Sequence, residues 1–558
     1  MAAKKYMTSY YVLYACFAII VLFFAAFFGY GYDNPVGDYN APVCTEGLMW
    51  LMYGMFAVTC LLALWSVVRG IKISMGSKGG DISGVPGSGN PYTLTEVLKK
   101  RWGHDGFVVS DWGSVNQLID QGMAADSAEA ARIALNAGVE MDMMGRCYDN
   151  NLKTLVEAGK VSVERIDDAV RRILRVKFRL GLFEHPYTVE SRPEERFLLP
   201  RSKQIAERLA EETIVLLKNK DGVLPLCQEG GAQKTIAVMG PLLDSDAELL
   251  GNWSGQGRVE DVFPVRKALE EEFAGKAKLL FATGCPFDGD DRSSFASALE
   301  VAGRADVVVL FMGERRGWSG ENCVRSSIEL PAVQEAFIAE VKKAGKPVVL
   351  VLSSGRPLAL ARVEPLCDAI VEMWQPGVPG GRPVAGVLSG RVNPSGKLSV
   401  TFPYATGQIP VYYNRRKSAR PYSGKYQDIP SEPLYTFGHG LSYTDFQYGD
   451  LTLSKTSVKR GEKLVAEITV TNAGQRDGAE VVQWFISDPY CSITRPNCEL
   501  KHFEKQLLKV GETRTFRFEI DPMRDLSFVD ADGHRFLETG DYYIQVKDRK
   551  VKLEIVED

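Results

Sequence analysis

Histidine is scarce: five occur in 558 residues, at His104, His185, His439, His502 and His534. None stands at metal-ligand spacing from another His or from a Cys pair, which argues against a zinc or iron site. The ten cysteines contain no CxxC. There is no GxxxxGK[ST] loop, and GVPGSG at 84–89 lacks the preceding strand and following helix that a dinucleotide fingerprint needs. No cofactor is therefore expected. GWSGE at 317–321 is not GxSxG, and no nearby His could activate Ser319, which leaves a serine hydrolase without its machinery. Basic residues are not in excess: Lys plus Arg is 66 against 70 for Asp plus Glu, a net charge of −4. Nucleic acid is thus not an expected partner. Cys491 and Cys498 could close a small loop in an oxidising compartment; otherwise each Cys reads as a small buried hydrophobe.

What is present begins with two long uncharged runs. Residues 6–32 and 47–68 carry no charge, and each exceeds the ~20 residues that span a bilayer as a helix. Lys4 and Lys5 precede the first, Arg69, Lys72 and Lys78 follow the second, and the loop between them is acidic. The positive-inside rule makes this a two-helix membrane hairpin over residues 1–76 with both ends cytoplasmic and the lipid bilayer as a partner. A cleaved signal peptide is the alternative, but the first run is longer than an h-region and a second follows it. Residues 77–90, rich in Gly and Ser, read as a flexible linker.

Three further blocks are expected from periodicity. In 91–187, the short apolar runs Phe107–Ser110 and Val139–Met143 alternate with helical patterns, the longest over Val163–Leu180. This is a βα repeat, about two units of it. In 201–403, the runs TIAVMG, KLLFATG, DVVVLFMG, PVVLVLS and AIVEMW are continuously apolar, as in a parallel sheet covered on both faces. From 446 to 558, alternation such as LVAEITVTN and EVVQWFISD predicts a β-sandwich of immunoglobulin or fibronectin type. Residues 404–445 read as an aperiodic strap.

Carboxylates are the remaining source of chemistry. Asp111 follows FVVS, and the C-terminal end of a barrel strand faces the active site. Trp112 beside it offers a flat apolar surface for a ring-shaped ligand. Asp111 could equally be the N-cap of the next helix, and position alone does not choose. Glu314 and Glu321 follow DVVVLFMG on the loop GERRGWSGENCVR, and polar loops after buried strands often hold binding residues. For Glu314 the pattern favours a solvated loop with Glu–Arg pairs. Asp142 reads as filling and rim.

Several runs then resemble glycoside hydrolase family 3, the bacterial periplasmic β-glucosidases in particular: GVPGSGNPYTLTEVLKKRWGHDGFVVSDWGSV, AADSAEAARIALNAGVEMDM, AERLAEETIVLLKNKDGVLPL, TIAVMGPLLDS, LGNWSG, KPVVLVLSSGRPLAL, NPSGKLSVTFP, GQIPVYYN and LYTFGHGLSYTDF, in order over roughly 84–558. The resemblance implies a retaining exo-acting β-glycosidase acting on terminal β-glucosyl residues of a glucoside or oligosaccharide. It places the nucleophile on Asp111, in SDW, and the general acid/base on Glu321, in a loop completed by Arg325 and the ELP of 329–331. The two carboxyl groups would come from different domains, so domain packing would set their separation. Lys501–His502–Phe503 copies a sugar-binding Lys-His pair of the family, but that pair belongs to the barrel; here it falls in the third block, with no catalytic role expected.

The fold class expected is multi-domain α/β plus β: a partial (β/α)8 barrel of two βα units, an α/β sandwich and a fibronectin type III-like domain, preceded by two transmembrane helices. The junction with the hairpin is placed near Ser83–Gly84. The hairpin puts the hydrolase in the cytoplasm, whereas the resemblance puts it in the periplasm. An inactive membrane-tethered remnant and an artefactual fusion of two genes are the competing readings, because most sugar contacts of the family lie on barrel strands that this reading leaves out.

Overall fold

The computed structural model describes residues 81–187, 197–227, 233–417, 426–530 and 533–557. The chain divides into two compact units, Met1–Glu190 and Ser191–Asp558.

In the first unit a short hairpin, β1 (Asp81–Ile82) and β2 (Val85–Pro86), leads into α1 (Tyr92–Arg101), which is wound with i→i+5 hydrogen bonds. The stretch expected as linker is thus structured over its last ten residues; Gly89 and Asn90 are buried. After one short turn of helix, Gln117–Asp120, come three longer helices, α2 (Ser127–Ala137), α3 (Cys147–Glu157) and α4 (Val163–Arg179). Asp126 caps α2 by accepting from the Glu129 N–H at 2.8 Å, and Glu129 accepts in return from the Ala125 N–H at 2.9 Å. This is a reciprocal capping arrangement. The inner face of α2 is Ala130, Ala131 and Ala134, so the backbone packs closely on Leu94, Val108, Val115 and Val139. The two expected strands shrink to extended segments joined by one parallel bridge, Val109 to Met141. The strand–helix–strand–helix order is as expected.

In the second unit α5 (Pro200–Thr213) enters a six-stranded sheet: β3 (Val215–Asn219), β4 (Thr235–Met239), β5 (Lys278–Ala282), β6 (Val307–Gly313), β7 (Val348–Ser353) and β8 (Ala369–Glu372), in the order β3-β8-β7-β6-β4-β5. All neighbours are parallel except β3, which runs antiparallel to β8. On one face Val307, Val309 and Phe311 of β6 meet α6 (Val265–Phe273) and α9 (Arg382–Ser389). On the other, Val308, Leu310 and Met312 meet α7 (Phe295–Gly303) and α8 (Ala332–Lys342). Both faces are dry, which is why the strands read as unbroken apolar runs.

The strap crosses this domain through single backbone pairings, Leu441 with Leu216 and Phe402 with Tyr435. The last domain is a two-sheet sandwich. One sheet has β9 (Phe446–Tyr448), β10 (Thr452–Leu453), β12 (Leu464–Asn472) and β15 (Thr513–Ile520). The other has β11 (Ser457–Lys459), β13 (Gly478–Ser487), β14 (Glu499–Leu508), β18 (Gly540–Val546) and β19 (Arg549–Val556), with β16 (Phe528–Val529) and β17 (Arg535–Phe536) pairing separately. Alternate residues of β12 and β13 fill the core around Trp484, as period two requires.

The expected transmembrane helices are a correction to the fold class. Among the described residues no helix is long and apolar enough to cross a membrane. The longest, α4, has 17 residues and carries Arg, Asp and Glu along its length. The expected spans 6–32 and 47–68 lie outside the described residues. The bilayer as partner, the membrane localisation and the cytoplasmic placement derived from it are not carried forward.

Candidate active site

The first carboxylate stands on a braced segment. Glu140 is buried and accepts from the Val108 N–H at 2.8 Å. Its other oxygen is paired with Lys99 and, at 2.8 Å, with Arg165. Burial pushes the Lys99 ammonium below its usual range, against the opposing pull of Glu140. These two cations neutralise a carboxylate that would otherwise be too costly to bury. The next link is Ser110: its N–H donates to the Met141 carbonyl at 2.8 Å, and its hydroxyl accepts from the Met143 N–H at 2.8 Å.

Asp111 follows directly. Its Oδ1 accepts from the Trp112 N–H at 2.6 Å, and its carbonyl accepts from Ser114 at 3.0 Å, which turns the chain. The N-cap alternative is excluded, since the next helix is Gln117–Asp120 and its N-cap is Asn116. Trp112 is 60% exposed, a presented ring rather than a core one. Asp142 is instead the residue that serves a helix: its Oδ2 accepts from the Cys147 N–H at 2.7 Å at the start of α3.

Glu321 lies in the second unit, on the loop after β6. The loop is held by Glu314, which is 1% exposed. Arg325 donates to Glu314 Oε1 at 2.7 Å and Arg356 to Oε2 at 3.1 Å. The expected Glu–Arg pairs are therefore present, but they are buried rather than solvated, a correction to the reading of Glu314. Arg325 also lies 4.9 Å from the centre of the Trp318 ring. Glu321 itself is exposed. Under the loop, burial raises the Glu372 carboxyl well above its ordinary range, with Glu314 adding a smaller push in the same direction.

Sequence reading missed Glu140, Arg165, Arg356 and Glu372. Glu140 and Glu372 were visible as acids inside apolar runs, where a buried acid needs a partner. The cations that face Glu140 and the Ser354 hydroxyl that faces Glu372 come from distant positions and carry no local signal.

Elsewhere, Asp488, Cys491 and Glu538 lie close together, but Asp488 is already paired with Arg495 at 3.2 Å. Cys491 and Cys498 are both free thiols, so the loop they might have closed is open. Lys501, His502 and Phe503 lie on β14, where His502 stacks on Phe518 at 5.0 Å within the sandwich.

Residues 69–176 match the glycosyl hydrolase family 3 N-terminal domain, 214–443 the family 3 C-terminal domain and 480–550 a fibronectin type III-like domain. The chain belongs to glycosyl hydrolase family 3. It is 39% identical to a periplasmic β-glucosidase of Salmonella typhimurium, over 79% of this chain and 61% of that protein. It is 34% identical to a β-xylosidase of Formosa agariphila, over 84% of this chain and 66% of that protein. A crystal structure of a β-glucosidase from Listeria innocua with isofagomine superposes with a TM-score of 0.78 at 36% identity, over 86% of this chain and 67% of that one. The chain thus spans less than two thirds of the length of these curated relatives. The family match runs unbroken across Ser83–Gly84, so the junction expected there between a membrane hairpin and the hydrolase is not supported. The match and the β1–β2 hairpin both treat this segment as part of the family domain.

Proposed function

We propose that the protein is a retaining, exo-acting β-glycosidase that removes terminal β-D-glucosyl residues, with Asp111 as nucleophile and Glu321 as general acid/base. The observation that carries this reading is Asp111: it ends a braced extended segment, caps no helix, and occupies the SDW position of a family 3 chain. Relatives named as β-glucosidases support the glucosyl assignment.

The chemistry needs two carboxyl groups about 5–5.5 Å apart across the scissile bond. Asp111 attacks the anomeric carbon as the C–O bond to the aglycone breaks, and Glu321 gives its proton to the departing oxygen. Water then attacks the glycosyl-enzyme, Glu321 takes the water's proton, and Asp111 leaves as carboxylate. Trp112, exposed beside the nucleophile, offers the apolar face that a pyranose ring stacks on.

The test is hydrolysis of aryl β-D-glucoside by the full chain, with aryl β-D-xyloside in parallel, since a β-xylosidase is also among the relatives. Release of β-glucose as first product is expected. Asp111→Asn should abolish turnover, and activity unchanged in that variant would sink the nucleophile assignment. Glu321→Gln should lose roughly 10²–10⁴-fold on a glucoside with a poor leaving group.

A further inference from the structure

The loop that bears Glu321 is clasped from beneath by one side chain. Arg356 lies just after β7, beyond Ser354 and Gly355. Its Nη2 donates to two backbone carbonyls, that of Trp318 and, at 3.1 Å, that of Cys323. These carbonyls flank Glu321 on either side. Its Nε donates to the buried Glu314 at 3.1 Å, and Glu314 is in turn held by Arg325 at 2.7 Å. The main chain of Glu314 is fixed as well, its N–H donating to the Ser353 carbonyl at 3.0 Å.

We infer that Arg356 is a positioning residue for Glu321, fixing the backbone on both sides of the acid/base. This rests on the proposed role of Glu321. The guanidinium suits the task because its donors are arranged in a rigid planar fork, so one side chain ties three acceptors at set angles. Glu314 supplies the anchor. A carboxylate 1% exposed and facing two guanidinium groups cannot move without leaving charge unpaired in the interior. Loop residues that carry no such tie would let Glu321 wander, and displacement of about 1 Å costs roughly a hundredfold in rate.

The consequence is specific to proton transfer. Aglycones that leave readily do not need a proton, whereas poor leaving groups do. In Arg356→Lys, which keeps a positive charge beside Glu314 but lacks the fork, kcat/KM for a methoxyphenyl β-glucoside should fall about a hundredfold. For a dinitrophenyl β-glucoside it should fall only a fewfold. Melting temperature should stay near that of the wild-type chain, because the buried carboxylate remains paired; Arg356→Ala, which strands it, serves as the comparison that reports folding. Hydrogen exchange in the full chain gives an independent reading: the peptide spanning 318–325 should exchange faster in Arg356→Lys, while β6 and β7 are unchanged. Equal losses on both glucosides, or unaltered exchange at 318–325, would overturn the inference. If the wild-type chain hydrolyses neither glucoside, the proposed function fails instead, and the exchange measurement still decides whether Arg356 orders the loop.

Discussion

Glu372 shows how one acid can be stable in a place that excludes charge. It lies at the end of β8, fully buried, accepting from the Trp374 N–H at 2.8 Å. The Ser354 hydroxyl lies 3.2 Å from its other oxygen and has the Arg356 carbonyl as a second neighbour at 2.8 Å. A hydroxyl has one proton; given to Arg356, it leaves Ser354 able to accept from a protonated Glu372. Burial, opposed by these hydrogen bonds, holds the carboxyl above its ordinary value of 4.5. The folded state then binds a proton that the unfolded state has released, so stability falls as pH rises from the ordinary value toward the raised folded one. Glu372→Gln keeps the shape and removes the titration. Its melting temperature should gain on wild type between about pH 4 and pH 7. A constant difference across that range would mean that Glu372 is charged in the fold. Nothing in AIVEMW distinguishes this acid from one at a strand end facing water, because its status is set largely by Ser354 and Glu314, which come from other parts of the chain.

At the scale of elements, β4, β6, β7 and β8 of the α/β domain were legible because each is buried on both faces, and β12, β13, β15 and β18 of the sandwich because they alternate. β3, the antiparallel edge strand, and β14, which lacks clean alternation, were not legible that way. The short segments at Phe107–Ser110 and Val139–Met143 were legible in order and less so in kind: too brief to hold a ladder, they pair at one bridge and are braced by the side chains of Glu140 and Ser110. What was not legible is close backbone approach. Gly313 closes β6 and starts the Glu321 loop with φ +144°, and a Cβ there would overlap the Ser353 carbonyl on β7. Its N–H donates to Gln334 Oε1 at 3.0 Å, and its carbonyl accepts from Gln334 Nε2 at 2.9 Å. Gly313→Ala meets both strain and overlap, so a loss of about 3 kcal/mol is expected in denaturant unfolding. Gly317, on the same loop, has open space around its Cβ position and no left-handed backbone, so Gly317→Ala should stay within about 0.5 kcal/mol. Equal effects at the two glycines would remove the steric argument.

At the scale of the molecule, the sandwich is fastened to the α/β domain by charge buried between them. Glu480 of β13 is 1% exposed. Lys397, from the α/β side, approaches its Oε2 at 3.1 Å, and Lys547 its Oε1 at 3.0 Å. The Tyr448 hydroxyl donates to Oε1 at 2.7 Å, and Lys397 also donates to the Gly440 carbonyl at 2.7 Å, joining the strap to the same cluster. Desolvation alone would raise the Glu480 carboxyl, but Lys397 and Lys547, with Tyr448, outweigh it and hold the group below its ordinary value. A depressed folded value contributes stability that is present above about pH 4.5 and is lost as pH falls through the folded value. Removing the carboxylate has a second effect, since Lys397 would remain buried without its partner. Glu480→Ala should therefore lose about 3–5 kcal/mol at neutral pH, and the loss should shrink as acid protonates Glu480 in the wild type. Scanning calorimetry of the full chain would show where the loss falls. If Glu480 couples the two domains, the variant should split one transition into two, with the sandwich melting apart from the α/β domain. A single transition shifted down as a whole would place the cluster's effect inside one domain and remove it as the fastener between them.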